Sequence, residues 1–250
     1  MKNKKGLIPA FITVRSASSR LPSKCLLPFG DGNVLEHVIR RVKFFGLEAV
    51  VCTTSEPGDD IIAQIARRER VECFRGSSED KLRRWLDCCD SLGFDKFHTI
   101  DADDPFFDPI LVKKSFSLLN RGYDLVYPTK SSSLGAASVG FSLTRGIVFL
   151  ACEIKKTKKT EMAWVFLERV PGIRAKRLEE ECPGKPKSRL TLDYEEDYWL
   201  LRTVQRLLGN NASRRRVDDL FARNPDLYKV NWFRNSQWKK RQAFLSRVRK

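Results

Sequence analysis

Histidine and methionine are scarce in this chain, and it has no long apolar run. Its 250 residues include only two histidines and two methionines. The seven cysteines form no CxxC pair, so the chain has few side chains with which to build a Cys/His zinc site. Every apolar stretch is shorter than the roughly 18 residues that a membrane-spanning helix requires. These shortages argue against zinc-binding modules and membrane-spanning proteins.

The cysteines and the first residues also bear on the compartment. The cysteines are odd in number, and most stand among apolar neighbours, as buried free thiols do. The basic start MKNKKG leads into a short apolar segment that soon turns polar, so we interpret it as a first strand rather than a signal peptide. We therefore expect a cytoplasmic protein without membrane insertion.

Positive charge is concentrated near the C-terminal end. The formal net charge is +16, and residues 209–250 hold 12 lysines and arginines against three acidic residues. Such a segment binds nucleic acid, an anionic membrane or an acidic partner, or it is a solvated helical extension. We treat residues 209–250 as a basic helical C-terminal extension.

Strand-like and helix-like segments alternate over the first half of the chain. The strand candidates are residues 7–14, 48–53, 70–74, 96–100 and 123–128. The helix candidates are residues 33–45, 59–68, 79–91 and 109–120. This alternation is typical of βαβ crossovers and predicts an α/β fold with a mainly parallel sheet between two layers of helices. Later segments predict helices in GIVFLACEIKK, KKTEMAWVFLERV and EEDYWLLRTVQRLL, and strands in VGFSL, GIRAKRL and SRLTL.

A basic loop, VRSASSRLPSK, follows the first predicted strand. It contains Arg15, Arg20 and Lys24 among small residues such as Ser18. Loops at the carboxyl ends of parallel strands face the ligand crevice, small residues let the backbone approach a polyphosphate, and cations neutralise it. The loop is a candidate phosphate site, although a solvated basic loop has the same composition.

Acidic residues follow the fourth predicted strand and a later short strand. Asp101, Asp103 and Asp104 lie within four residues, and Asp193 ends the RLTL segment. Carboxylates crowded in this way repel each other unless a cation offsets them, and oxygen ligands suit magnesium. We expect Asp101 or Asp103 to bind a metal that Asp193 also reaches. A helix N-terminus also favours acidic residues, and Asp108 fits that interpretation better.

Taken together, these segments resemble the cytidylyltransferases of the spore-coat-polysaccharide type, which are related to the CMP-Kdo and CMP-sialic acid synthetases. VRSASSRLPSK resembles the family's A-R-x-G-S-x-R-L-P-x-K loop, and FRGSSEDKLRRW resembles G-S-x-x-D-V-L-x-R-Y. DADDPFFDP is similar to G-D-x-P-L-I-D-P, and RLTLDYEEDYWLL is similar to R-x-T-V-D-x-x-E-D. The resemblance spans roughly residues 7–232 in the same order.

The resemblance implies a Rossmann-like nucleotide-diphospho-sugar transferase fold and the transfer of CMP from CTP to an acidic sugar, with release of pyrophosphate. It aligns Asp103 and Asp193 with the family's metal-binding aspartates and implies a Mg²⁺ cofactor. The implied catalytic residues are Arg15, Lys24, Asp103 and Asp193. The implied nucleotide-binding residues are Arg15, Ser18, Arg20, Lys24, Gly76, Ser77, Asp80 and Asp101.

The resemblance also implies a nucleotidyltransferase domain over residues 1–208 and a homodimer formed through an insert at residues 135–180. Two departures affect the site, because Ala17 replaces a glycine of the loop pattern and Met162 replaces a histidine. The candidate ligands for the carboxylate of an acidic sugar are Arg145, Arg174 and Arg189, although a surface charge explains each of them equally well.

Two other functions fit parts of the sequence. A nucleotide-sugar-dependent glycosyltransferase shares the fold and the acidic motif, but it would not need the basic loop. A catalytically silent nucleic-acid-binding protein would use the basic extension, with Trp232, Phe233 and Trp238 stacking on bases. These aromatic residues would equally dock the extension onto the core, so nucleic acid is the less favoured partner.

Overall fold

The computed structural model describes residues 6–179 and 187–247. Its strands are β1 (Pro9–Thr13), β2 (Pro28–Phe29), β3 (Gly32–Asn33), β4 (Glu48–Thr54), β5 (Glu72–Gly76), β6 (Lys96–Asp101), β7 (Leu125–Tyr127), β8 (Ser142–Thr144) and β9 (Ala175–Arg177). Its α-helices are α1 (Val34–Phe44), α2 (Asp60–Arg68), α3 (Lys81–Leu92), α4 (Pro109–Asn120), α5 (Arg145–Ile154), α6 (Ala163–Leu167), α7 (Glu195–Leu208), α8 (Arg214–Arg223) and α9 (Arg234–Arg247). Short 3-10 turns cover Lys24–Leu26, Pro57–Asp59 and Leu227–Val230, and a π-helical turn covers Ser132–Ala136.

The main sheet has the strand order β5-β4-β1-β6-β8-β7-β9. Strand β1 pairs in parallel with both β4 and β6, β4 pairs in parallel with β5, and β7 pairs in parallel with β9. Strand β8 is antiparallel to both of its neighbours, while β2 and β3 form a separate hairpin. The prediction of a mainly parallel α/β sheet is therefore confirmed.

Apolar side chains cover both faces of the sheet. In β1, Ala10 and Ile12 face the cluster that includes α1, α2 and α4, whereas Phe11 faces the cluster that includes α3, α5 and α6. Successive strand residues point to opposite faces, so one buried strand fills two cores. Phe11 stacks on Phe97 at 4.3 Å between ring centroids. The predicted three layers are present.

A third apolar cluster joins the late helices to the sheet. Leu201 of α7 and Phe221 of α8 are buried with Phe29, Phe106 and Leu192. Because Leu192 directly precedes Asp193, this packing also fixes the position of a candidate metal ligand. None of the helices in residues 6–179 and 187–247 is long and apolar enough to cross a membrane.

Helix and strand predictions were most accurate before residue 130. The four helices predicted there form α1 to α4, and the carboxylate of Asp108 caps α4 by accepting from the backbone N–H of Ile110 at 2.9 Å. The helix predicted over residues 79–91 begins at Lys81, and Asp80 is its capping residue.

Two later predictions were wrong. Only Ala163–Leu167 of the segment KKTEMAWVFLERV is α-helical. The segment SRLTL forms no strand, although the backbone N–H of Leu192 donates to the carbonyl of Asp103 at 2.7 Å. Its apolar alternation reflects burial in the third cluster and not a β-ladder. Most of the predicted loop EEECPGKPK, residues 180–186, lies outside the described residues.

Candidate active site

A cavity of about 820 Å³ opens at the carboxyl ends of β1 and β6. Its walls come from the loop after β1, the acidic residues after β6, the segments that follow β7 and precede α6, and α9. Ligand crevices of open α/β sheets lie at this edge, where loops can vary without disturbing the core. The geometry therefore places the basic loop and the acidic cluster on one cavity.

Lys24 lies at the centre of the charged groups in this cavity. Its ammonium donates to a carboxylate oxygen of Asp103, to Oδ1 of Asp193 at 2.9 Å and to the carbonyl of Leu192 at 2.7 Å. Arg20 donates to the same oxygen of Asp193. The structure thus brings together four residues that the sequence analysis selected separately.

The protonation of these groups follows from their contacts. Burial alone would lower the pKa of Lys24, but the carboxylates of Asp103 and Asp193 outweigh it and hold that pKa above its usual range. Burial alone would raise the pKa of Asp193, but Lys24 and Arg20 lower it to about 2. Lys24 and Asp193 therefore both carry charge at neutral pH.

A buried arginine fixes the orientation of Asp193. Arg189 is fully buried, and its guanidinium donates to both carboxylate oxygens of Asp197 at 2.9 and 3.0 Å. Asp197 also accepts from the backbone N–H groups of Asp193 and Tyr194, both at 3.0 Å. The Arg189 guanidinium and the two backbone N–H groups all donate hydrogen bonds to the Asp197 carboxylate, and this set of buried bonds makes the segment around Asp193 rigid.

This arrangement corrects the predicted ligands for a substrate carboxylate. Arg189 has no exposed surface with which to meet a substrate. Neither Arg145 nor Arg174 lines the cavity. Arg145 pairs with Asp90 at the protein surface, and Arg174 stacks on Tyr123.

The acidic cluster has the donor set of a hard-cation site. One carboxylate oxygen each from Asp101, Asp103 and Asp104 lies within 4.8 Å of the others. Burial, together with the neighbouring acidic groups, raises the pKa of Asp103, although Lys24 opposes this change. Burial and the carboxylates of Asp103 and Asp101 raise the pKa of Asp104 well above its usual value. Crowded carboxylate oxygens of this kind fit Mg²⁺.

Lys81 is a cavity residue that the sequence analysis missed. Its ammonium lies 3.3 Å from Oδ1 of Asp101 and over the ring of Trp85. Burial alone would lower the pKa of Lys81, but the carboxylates of Asp101 and Glu161 outweigh this effect and hold that pKa above its usual value. The available signal was a lysine at the position of valine in the G-S-x-x-D-V pattern.

Arg15, Ser18 and Asp101, three of the residues predicted to bind the nucleotide, line the cavity. Arg15 is half-exposed and pairs with Glu161 at 3.4 Å, so it spans the space between the basic loop and the segment before α6. Ala17 and Met162, the two departures from the family pattern, also line the cavity.

Gly76, Ser77 and Asp80 were also predicted to bind the nucleotide, and they are not among the residues that line the cavity. The Asp80 carboxylate is buried and accepts from the hydroxyl of Thr160 at 2.9 Å and from the ammonium of Lys155. It therefore holds the segment before α6 against α3. Direct nucleotide contacts at these three positions stay a prediction.

Asp59 anchors the basic loop and was also missed. It accepts hydrogen bonds from the backbone N–H and the hydroxyl of Ser16, at 2.7 and 2.6 Å, and from the hydroxyls of Thr53 and Thr54. In the sequence, Asp59 is indistinguishable from an ordinary residue at a helix start. Its four donors tie the loop after β1 to the end of β4.

A cavity that combines these cations and carboxylates at the ligand edge of a parallel sheet suits a nucleoside triphosphate and a divalent cation. We therefore classify the chain as a nucleotidyltransferase. Residues 7–164 match the sequence profile of the cytidylyltransferases. The chain belongs to this family, and it is accordingly a cytidylyltransferase that uses CTP.

Individual relatives agree with the family assignment. The chain is 26% identical over 226 residues to the spore coat polysaccharide biosynthesis protein SpsF of Bacillus subtilis. The aligned residues cover 86% of this chain and 94% of SpsF. A cytidylyltransferase structure from Leptospira borgpetersenii matches with a TM-score of 0.79 and 26% identity, over 88% of this chain and 96% of that one.

A more distant structure shares the fold. The CMP:2-keto-3-deoxy-manno-octonic acid synthetase in complex with CTP matches with a TM-score of 0.63 and 15% identity, over 81% of this chain and 99% of that one. The resemblance predicted from the motifs is confirmed at the level of the family and the fold.

The anchoring role of Asp59 predicts a pH-dependent loss of stability in Asp59→Asn. Burial raises the pKa of Asp59, but the bonds from Ser16, Thr54 and Thr53 lower it below its usual value. The stabilisation is therefore complete above about pH 4, the ordinary aspartate range, and is lost as the pH falls through the lower folded-state pKa. We expect urea unfolding at pH 7 to show that Asp59→Asn lowers the free energy of unfolding by about 1–3 kcal/mol.

The difference in the free energy of unfolding between the parent and Asp59→Asn should become smaller below pH 4. Asp60→Asn is the matched control, because the Asp60 side chain is 59% exposed and pairs with Arg75 at the surface. If Asp60→Asn were as unstable as Asp59→Asn, the anchoring role would be contradicted. The same holds if the loss of unfolding free energy in Asp59→Asn did not change with pH.

Proposed function

We propose that this cytidylyltransferase transfers CMP from CTP to an acidic sugar of the 3-deoxy-ulosonic or nonulosonic type and releases pyrophosphate. The observation that carries the proposal is the meeting of Arg20 and Lys24 with Asp103 and Asp193 in one cavity. SpsF is a protein of spore coat polysaccharide biosynthesis, and the structurally similar synthetase takes an octonic acid; both support an acidic sugar destined for surface polysaccharide. A CTP-consuming reaction of this kind belongs in the cytoplasm.

The basic loop is assigned to the triphosphate. Arg20 and Lys24 reach the centre of the cavity, and Arg15 reaches it from the rim. Several cations on one loop can offset the charge of bound CTP and the charge that moves to the leaving pyrophosphate. Asp59 supports this role by fixing Ser16 at the start of the loop.

Asp103 and Asp193 are assigned to Mg²⁺, with Asp101 as a further ligand. All three offer carboxylate oxygens, and Asp103 and Asp193 are already held close enough to share the Lys24 ammonium. When bound, the ion supplies positive charge at the α-phosphate and lowers the pKa of the attacking hydroxyl. The Asp197 and Arg189 side chains keep Asp193 in place throughout.

The bond changes are those of a nucleotidyl transfer. A hydroxyl oxygen of the sugar attacks the α-phosphorus and gives up its proton to solvent, while the bond from that phosphorus to the bridging oxygen of pyrophosphate breaks. The side chains position the reactants and neutralise charge, and they form no covalent bond with the nucleotide. Arg20 and Lys24 stabilise the departing pyrophosphate.

Arg177 and Lys130 are the proposed contacts for the sugar carboxylate. Both line the cavity, and Arg177 stacks on Tyr127 at 5.0 Å from the ring centroid. Strands β6 and β8 separate β1 from β7 in the sheet, which places Tyr127 about 14 Å from β1 at about 4.8 Å per strand. This part of the cavity can hold an acceptor beside the nucleotide.

Asparagine substitutions test the metal assignment. Asp103→Asn and Asp193→Asn keep the side-chain size but remove the charge, so we expect pyrophosphate release to fall by about 100-fold or more. Arg20→Ala should weaken CTP binding as well as turnover, because CTP is already charged in the ground state. A coupled pyrophosphate assay with a panel of acidic sugars measures both the turnover and the KM for CTP.

Asp219→Asn, at an exposed position on α8, is the control and should behave as the parent. Parental turnover in both site variants would contradict the proposed metal site. Parental turnover in only one of them would move that ligand role to Asp101.

We also propose a homodimer formed through the insert at residues 135–180. Within it, α5 exposes Phe149, Leu150 and Ile154, while its other side packs in the core. Light scattering at micromolar concentration should give twice the mass of one chain. Phe149→Glu should shift the protein towards the monomer, because a charge at an apolar interface is costly. Phe44→Glu, at an exposed phenylalanine on α1, should not, and a monomeric parent would contradict the proposal.

A further inference from the structure

The C-terminal helix α9 forms one wall of the active-site cavity. Its residues Trp238, Lys239 and Arg241 line that cavity. The Arg241 guanidinium donates to the hydroxyl of Ser19 at 3.0 Å. Ser19 belongs to the basic loop, so α9 directly contacts the loop that is assigned to the triphosphate.

Buried polar contacts fix the start of α9. Arg234 donates to both carboxylate oxygens of Glu196, at 3.0 and 2.7 Å. Asn235 accepts from the Arg189 guanidinium at 2.9 Å, and the fully buried Asn231 donates to Asp197 at 2.9 Å. The helix therefore begins in the network that orients Asp193, and this attachment directs its next turns across the cavity.

Helical periodicity determines which residues face the cavity. Asn235 and Trp238 share one face of the helix because they are three positions apart. Lys239 is four positions after Asn235 and Arg241 is three after Trp238, so these two cations flank that face on opposite edges. Lys240 is two positions from Trp238 and lies on a different side of the helix. Lys239, Lys240 and Arg241 are all exposed, but Lys240 does not line the cavity. The helix thus places one cation at each edge of its cavity-facing side, and a lysine on the opposite side.

Lys239 and Arg241 differ from the loop cations in their partners. Arg20 and Lys24 are bound to Asp193 and Asp103. Across residues 6–179 and 187–247, neither Lys239 nor Arg241 forms an ion pair. Two cations that have no ion-pair partner among the described residues, beside a phosphate-binding loop, make a second anion-binding element.

We propose that Lys239 and Arg241 bind the terminal phosphates of CTP and, after the reaction, the pyrophosphate. Arg20 and Lys24 contact the carboxylates assigned to the reacting centre, whereas Arg241 contacts the exposed Ser19. The terminal phosphates carry the most charge and lie furthest from the α-phosphorus, so they are the ligand that suits this pair. The inference rests on the proposed assignment of the basic loop to the triphosphate.

Calorimetric titrations of CTP, CMP and pyrophosphate test this role directly. They are carried out with Mg²⁺ and without the sugar acceptor, on the parent, on Lys239→Ala/Arg241→Ala and on Lys240→Ala. In the double variant, the Kd for CTP and for pyrophosphate should rise about tenfold, which corresponds to about 1.4 kcal/mol. The Kd for CMP should stay within about twofold of the parent, since CMP lacks the terminal phosphates. Lys240→Ala should match the parent for all three ligands.

Charge reversal in Lys239→Glu/Arg241→Glu should weaken CTP binding further, and thermal melting checks that each variant is folded. An unchanged CTP affinity in both folded double variants would overturn the proposal. An equal loss of CMP and CTP affinity would also overturn it, because the effect would then lie at the nucleoside or the α-phosphate. A parental Kd for CTP with a raised KM for the acceptor would assign the pair to the acidic sugar instead.

Arg20→Ala separates this inference from the proposed function. If Arg20→Ala weakens CTP binding and the α9 variants do not, the loop assignment stands and only the role of α9 is wrong. If the parent binds CTP no more tightly than CMP, the loop assignment itself is wrong, and the inference about α9 is wrong with it.

Discussion

Asp103 and Asp193 come from distant parts of the chain and share the ammonium group of Lys24. Two carboxylates at such close range would otherwise repel each other and resist ionisation. The lysine offsets this repulsion, and it draws the loop after β1, the end of β6 and the segment before α7 to one point. The backbone bond from Leu192 to Asp103 reinforces the same junction. The cavity exists because these three segments meet there.

The same junction explains how one set of side chains serves both an ordered protein and a charged substrate. The carboxylates of Asp103 and Asp193 that contact Lys24 are also the ones that would hold the proposed Mg²⁺. We expect Lys24 to exchange part of its carboxylate contacts for phosphate oxygens when CTP and the ion bind. Asp193 keeps its orientation during this exchange, because Asp197 and Arg189 hold it from the side away from Lys24.

Local sequence patterns predicted the framework well and the supporting contacts poorly. The helices α1 to α4 follow from apolar periodicity and from caps such as Asp108. Asp59 and Arg189 looked like a helix-start residue and a surface or substrate-binding charge, because only tertiary structure shows their partners. The position of α9 was equally hidden, since its contact joins Arg241 to Ser19 across most of the chain. Composition identified the basic extension but not the cavity that it faces.

Isothermal titration of CTP in the presence of Mg²⁺ and in EDTA tests the shared cation and carboxylate site most directly. If the basic loop binds the triphosphate while Asp103 and Asp193 bind the ion, each ligand should strengthen the binding of the other. We expect CTP to bind at least about tenfold more tightly with Mg²⁺, a coupling of about 1.4 kcal/mol. Equal CTP affinity with Mg²⁺ and in EDTA would contradict this account of the site.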